Sequence, residues 1–283
     1  EDKYLLLVNG RNMNQKTHSG AQSERDIPLL GDIYRVELIR GPASAIYGPG
    51  AISMVINIIT ENAETFTGNE FTVTGGAIEE FATLEFKHGL KLNNESALYL
   101  YLGLGKYTGA KASNSPEKLS FAGTTFFGDI VESGKNVNYD VGRDNRSHRD
   151  TPDIKLHLNF KKGNWDNWLR FTRGGRNYSH AYPLLFAPQQ GWFTSPLHSS
   201  IKAAGYPSSG YQQLTLLSSY LQELQENSTL KYTLSFDSQE FSRDQWFLDQ
   251  SFREDELYGQ LMINWDATEN QKRSSVKQFE YHS

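Results

Sequence analysis

Arg40-Gly41-Pro42-Ala43-Ser44-Ala45-Ile46-Tyr47-Gly48 is followed, after Pro49-Gly50, by Ala51-Ile52-Ser53-Met54-Val55-Ile56-Asn57-Ile58-Ile59-Thr60. Gly41-Pro42 predicts the start of a short helical turn, because proline has no N–H to leave unpaired at the first helical position. Gly48 stands where a left-handed cap would close that turn. Val55 to Ile59 is apolar except for Asn57 and reads as a strand covered on both faces. Upstream, Tyr4 to Val8 is a short apolar strand. Asn9-Gly10 is a tight turn whose two central residues both need φ > 0. Arg11 to Arg25 is polar and without period, hence a loop, and Ile33 to Ile39 is a second strand. On these residues alone, the opening segment is a small α+β unit.

From about residue 70 the chain changes character, and apolar residues recur at every second position. Leu98, Leu100, Leu102 and Leu104 oppose Tyr99, Tyr101, Gly103 and Gly105. Ile154, Leu156, Leu158 and Phe160 oppose Lys155, His157, Asn159 and Lys161. Leu230, Tyr232, Leu234 and Phe236 oppose Lys231, Thr233, Ser235 and Asp237, and Leu257, Leu261, Ile263 and Trp265 oppose Tyr258, Gln260, Asn264 and Asp266. Weaker alternation runs through 70–78, 81–88, 165–176 and 211–224, and Ser275 to Ser283 starts another strand.

A half-buried sheet of a soluble protein alternates too. Two features favour a membrane barrel. Several strands reach the roughly 9–11 residues that a tilted spanning strand requires. The connections also alternate in length: 89–96, 161–164, 225–228 and 267–273 are short, 108–151 and 179–210 long, and 242–255 intermediate. Tight turns at one end and long loops at the other predict that pattern. Lys155, Arg170 and Lys231 sit opposite the apolar face, so that face should meet lipid and the polar face the lumen. Trp165, Trp168 and Trp265 lie near short turns and suit an interfacial belt, or equally a core. About eight complete strands are present, against the roughly 22 of plugged transporters.

Composition narrows the function. The chain has 283 residues, a formal net charge of −5, and no cysteine. The charge argues against nucleic acid as a partner, and the lack of cysteine removes disulfide, zinc-thiolate and cysteine-nucleophile chemistry. Mean hydropathy is −0.59, and no run approaches the roughly 20 apolar residues of a membrane helix. There is no G-x-S-x-G, H-E-x-x-H or Walker loop, and the seven histidines show no metal-ligand spacing. His157 with Ser219 or Ser235 is the single hydrolase-like possibility, with nothing tying the three together. No enzyme, cofactor or metal is expected.

Ile33-Tyr34-Arg35-Val36-Glu37-Leu38-Ile39-Arg40-Gly41-Pro42, Ala45-Ile46-Tyr47-Gly48 and Val55-Ile56-Asn57-Ile58-Ile59-Thr60, with Leu6-Leu7-Val8-Asn9-Gly10 before them, resemble the plug domain of the TonB-dependent receptors. Ser53-Met54 departs from the small Gly pair usual in that family. The resemblance implies a mostly β chain: the C-terminal half of a plug over residues 1–65, then the N-terminal portion of a transmembrane antiparallel β-barrel over 66–283. The first plug half, the TonB box and further strands are expected outside this sequence. It implies an outer-membrane receptor of a Gram-negative bacterium. Such a receptor takes up a scarce bulky nutrient, such as a ferric siderophore, haem or cobalamin, coupled to a periplasmic TonB-type protein. A passive channel or surface receptor with a structural plug is the alternative.

The resemblance also distributes roles. Arg11, Asn12, Met13 and Asn14 fall near the plug apex, as expected for ligand contact. Tyr182, Phe186, Trp192 and Phe193 lie in the long loop and supply rigid aromatic contact surface, or pack that loop. Arg40 matches the plug arginine that pairs with barrel-wall glutamates. Gly41, Pro42, Tyr47, Gly48 and Asn57 carry the plug motif.

Overall fold

The computed structural model describes residues 4–14, 21, 24, 29–41, 53–77, 81–107, 152–177, 208–225, 228–245, 248–268 and 271–282, with the backbone of four short strands between 120 and 138. The first four strands are β1 (Tyr4–Val8), β2 (Arg11–Asn12), β3 (Ile33–Arg40) and β4 (Met54–Thr60). They form one sheet in the order β2-β1-β4-β3. β1 and β4 are parallel, from Tyr4↔Met54 to Val8↔Ile58, while β2 and β3 run antiparallel to their neighbours.

The β1–β2 turn is as the sequence predicts, with Asn9 at φ 49° and Gly10 at φ 81°. Gly10 N–H donates to Asn57 Oδ1 and Thr60 N–H to Asn9 Oδ1, so β4 side chains and backbone hold the turn. β1 is apolar throughout because both its faces are covered. Leu6 and Val8 pack with Met13, Ala21 and Ile58, and Leu5 and Leu7 pack with Val55. The predicted helical turn over Pro42–Gly48 lies outside the described residues.

The second sheet has nine strands. They are β5 (Gly68–Gly76), β6 (Phe81–Asn93), β7 (Ser96–Tyr107), β12 (Asp153–Lys162), β13 (Trp165–Asn177), β14 (Ser208–Gln225), β15 (Ser228–Gln245), β16 (Leu248–Thr268) and β17 (Gln271–His282). Two small hairpins, β8 (Ser120–Phe121) with β9 (Thr124–Thr125) and β10 (Asp129–Glu132) with β11 (Lys135–Asn138), stand between β7 and β12. Every large strand pairs antiparallel with its neighbour in chain order, so the sheet is an up-and-down meander with β5 and β17 as its edges. It does not close on itself.

Its facing follows the charge argument. Leu102, Leu216, Leu234, Phe236, Leu257 and Ile263 are exposed on the outer side, whereas Lys155, His157, Arg170, Thr215, Ser235 and Asp237 are buried on the inner side. Inner-side residues from β6 through β16 contact the first sheet, so the nine strands curve around it as a wall around a plug.

Two expectations need correction. The stretch 242–255 is not a connection of intermediate length. β15 and β16 stay paired to Gln245↔Leu248, making a hairpin of 18- and 21-residue strands. Beyond the apolar band there is no lipid to demand alternation, so Arg243 to Asp255 loses the period while the backbone ladder continues. Trp168 is not in an interfacial belt either. It faces inward, 6% exposed, with its ring centroid 5.8 Å from that of His157. Trp165 faces outward beside Tyr220, at 4.8 Å, and the Trp265 side chain lies outside the described residues.

Outward and inward positions should respond differently to charge. Leu234→Arg is expected to cost about 2–4 kcal/mol if it lies near the midplane, while Thr233→Arg, on the lumen side, should cost much less. Denaturant unfolding of the protein in lipid vesicles measures both.

Candidate functional site

Strand pairing places one row of inward residues across eight strands: Glu70, Lys87, Tyr101, His157, Arg170, Thr215, Asp237 and Glu256, each opposite the next. The row is cationic at β13, with Lys155 of β12 two residues away from His157, and anionic at β15 and β16. The plug presents the opposite signs.

Arg11, at the start of β2, reaches the anionic end. Its Nη2 lies 2.6 Å from both Asp237 Oδ2 and Glu256 Oε1, Nε donates to Asp237 at 2.9 Å, and the guanidinium sits 4.4 Å from the Tyr258 ring centroid. Burial disfavours its charge, but the two carboxylates outweigh that and hold its pKa above the ordinary arginine value.

At the cationic end the donors belong to the wall. Arg170 takes Glu24 in a two-pronged grip, Nε to Oε1 at 2.6 Å and Nη2 to Oε2 at 2.8 Å, and gives Nη1 to Asp32 Oδ2 at 2.6 Å. Lys155 Nζ is 2.9 Å from Asp32 Oδ1 and donates to Leu29 C=O at 2.8 Å. Arg170, Lys155 and Asp32 are all within 2% of full burial. Desolvation alone would raise the Asp32 pKa; Arg170 and Lys155 together hold it well below the ordinary 3.8. A fork of guanidinium donors that matches carboxylate geometry is what makes so dry a cluster tolerable.

Neutral contacts complete the seam. Thr60 Oγ1 accepts from Asn9 Nδ2 and lies 3.0 Å from His157 Nε2. Glu85 of the wall accepts from Gly31 N–H and from the Tyr101 hydroxyl. A side chain at Gly31 would displace the Glu85 carboxylate that accepts from its N–H. After Thr60 the chain leaves the plug through Glu61 and Glu64, which pair with Lys87 and Lys161.

The expected site residues are distributed as follows. Arg11 is committed to wall carboxylates rather than open to a ligand. Met13 is fully buried in the plug core, and Asn14 ties β1 to the loop, accepting from Leu6 N–H at 2.8 Å. Asn12 accepts from Asn14 N–H. Arg40 is exposed at the end of β3, and no ion pair is formed by it among the described residues. Asn57 bridges Gly10 and Glu37, and Gly41 N–H donates to Ser53 C=O. Pro42, Tyr47, Gly48, Tyr182, Phe186, Trp192 and Phe193 lie outside the described residues. His157 meets a plug threonine, not Ser219 or Ser235. The plug carboxylates Glu24 and Asp32 were not anticipated. The signal was nevertheless available: two lumenal cations, Lys155 and Arg170, require anions from whatever fills the lumen.

Residues 2–55 match the family model described as TonB-dependent Receptor Plug Domain. Over these residues the chain carries the plug domain of the TonB-dependent receptors. Among curated proteins it is similar to the vitamin B12 transporter BtuB of Vibrio vulnificus. Identity is 25% over 202 residues for strain CMCP6, covering 71% of this chain, and 28% over 189 residues for strain YJ016, covering 60%. The chain spans 30% of the length of each of these relatives. In fold it resembles a variant of the ferric enterobactin receptor PfeA of Pseudomonas aeruginosa (TM-score 0.58, 14% identity, 99% of this chain, 41% of that one). It also resembles the ferric yersiniabactin uptake receptor FyuA of Yersinia pestis (TM-score 0.55, 15% identity, 99% and 40%). The chain thus combines a plug sheet with nine strands of the surrounding wall.

Removing one partner of the seam should be expensive. Arg170→Met leaves Glu24 buried without its cation and Asp32 with Lys155 alone, and is expected to cost about 3–5 kcal/mol; adding Glu24→Gln should recover part of it. Urea unfolding of the two variants checks this. Acid should loosen the same seam. Because the folded Asp32 pKa is depressed, its contribution is complete well above its unfolded value and is lost as pH falls below about 4. Hydrogen exchange of plug amides between neutral pH and pH 3 reads the loss, and Asp32→Asn should flatten it.

Proposed function

We propose that the chain is part of an outer-membrane receptor of a Gram-negative bacterium, with residues 1–65 forming the C-terminal half of its plug and 66–283 the first part of its barrel. Its function is TonB-coupled uptake of a scarce, bulky nutrient. Cobalamin and ferric siderophores are the classes named for its relatives, and haem is of similar bulk.

The observation that supports this reading most is the chemistry of the plug–wall seam. Ion pairs and hydrogen bonds dominate it, with small apolar contacts such as Leu29 on Tyr211 and Phe241. A polar contact exchanged for water changes free energy by only about 0.5–1.5 kcal/mol net. A plug held this way is firm while dry, and it can be drawn from the wall once force and water enter. Transport then needs selective capture outside and a pull from the periplasm, with no covalent chemistry by these residues.

The intact receptor, expressed in a strain lacking its own cobalamin and siderophore receptors, should restore uptake of one labelled nutrient class. That uptake should stop when a protonophore collapses the membrane potential or when the energy-coupling protein is deleted. Uptake that survives both treatments would establish a passive channel instead.

A further inference from the structure

We propose that the plug pivots where Thr60 meets β12 and parts from the wall over β13 to β15, so that the solute passes along a polar track on those strands. The proposal rests on the transport reading above and adds the place of passage to it.

The track is a product of strand pairing. Inward positions of β15 run Gln239, Asp237, Ser235 toward the turn at 225–228, and Thr215 of β14 lies opposite Asp237. Thr172 of β13 and Gln239 flank the same β14 residue, Gln213. Thr172, Thr215, Ser235, Asp237 and Gln239 are at most 5% exposed. They are covered but not all matched. Thr172 Oγ1, Ser235 Oγ and Gln239 Oε1 have no hydrogen-bond partner among the described residues. A buried polar atom left unpaired is a cost of the closed state, and water removes it. Parting the seam here therefore gains hydrogen bonds. It releases the Leu29 side chain from Tyr211 and Phe241, Glu24 and Asp32 from Arg170, and Arg11 from Asp237 and Glu256. Hydroxyl, carboxylate and amide groups at every second residue of β15 then offer the solute successive hydrogen bonds.

The pivot has the opposite character. Thr60 ends β4 and is buried. Its Oγ1 lies 3.0 Å from His157 Nε2 on β12 and accepts from Asn9 Nδ2, so its contacts join neutral groups and strand no ion when they turn. The next residue is already bound to the wall. Glu61 accepts from the Tyr99 hydroxyl on β7 at 3.3 Å and pairs with Lys87 on β6 at 3.3 Å. The chain itself thus ties this corner of the plug to β6, β7 and β12, and a pull swings the far side. The far side is the one that faces β13 to β15.

The test uses the intact receptor in cells. These 283 residues contain no cysteine, and any cysteine elsewhere in the receptor is replaced by serine. Leu29→Cys with Phe241→Cys bridges the plug to β15, and Leu29→Cys with Tyr211→Cys supplies a second bridge across the same seam, to β14. Thr60→Cys with His157→Cys bridges the plug to β12. Bridges are made by oxidation or with a short bis-methanethiosulfonate reagent, and a maleimide gel shift under denaturing conditions counts the thiols left free. Uptake of the labelled nutrient is compared in each variant before and after dithiothreitol. The β14 and β15 bridges should abolish uptake to the level seen with protonophore, with recovery on reduction. The β12 bridge should give the same uptake before and after reduction. Uptake through complete β14 and β15 bridges, or a β12 bridge that blocks uptake until reduced, overturns the proposal. A receptor that takes up no nutrient even without bridges overturns the transport reading as well.

Discussion

Arg170 is the group on which the arrangement turns. A guanidinium removed from water is tolerable only if carboxylates meet its donors, and Glu24 and Asp32 do so from a different domain of the chain. The plug must therefore sit at one depth and one rotation. Rotating it toward β15 would bring its carboxylates toward Asp237 and Glu256, and Arg11 would leave both. Charge of opposite sign at the two ends of one wall row works as a register mark. Its specificity comes less from the strength of any pair than from the penalty of every mismatch.

The same alternation that exposes leucines outward delivers these charges inward. In a β-strand the two faces are coupled, since a one-residue slip exchanges them completely. His157 on β12 can face Thr60 only if Leu156 and Leu158 face outward. The lipid requirement and the plug requirement thus constrain the same register from opposite sides. At the far ends of β14 to β16, Tyr211 and Phe241 keep the same inward parity and pack with Leu29.

The sequence made some of this legible and not the rest, for identifiable reasons. β1, β3 and β4 were readable within a residue because short apolar-rich runs bounded by Asn-Gly and Gly-Pro breakers are local signals. The inward direction of Lys155 and Arg170 was readable because burying charge in lipid is so unfavourable. The partners of those cations were not, since Glu24 and Asp32 stand in sequence without a period, and nothing local says what they meet 138 to 146 residues further on. The resemblance placed Arg11 near the plug apex, but its pairing with Asp237 was not readable, because nothing local reports what lies across a gap of 226 residues in sequence. Trp168 misled for a related reason. Nearness to a turn suggests the interface, but parity with Arg170 sends it inward.

A wall made of charges has a consequence for how the plug can move. Hydrophobic seams resist wetting, so separating them exposes apolar area along the whole length. Here the deepest contacts are ions and amides, each of which water can satisfy. The cost of opening is concentrated in the first step, when the cluster of Arg170, Lys155, Asp32 and Glu24 must loosen before water arrives. Once hydrated, the row from Glu70 to Glu256 is already a polar lining, suited to passing a solute with many hydrogen-bonding groups. In the proposed transport cycle, the residues that close the lumen would also line it when open, so one pattern of alternation would serve both states.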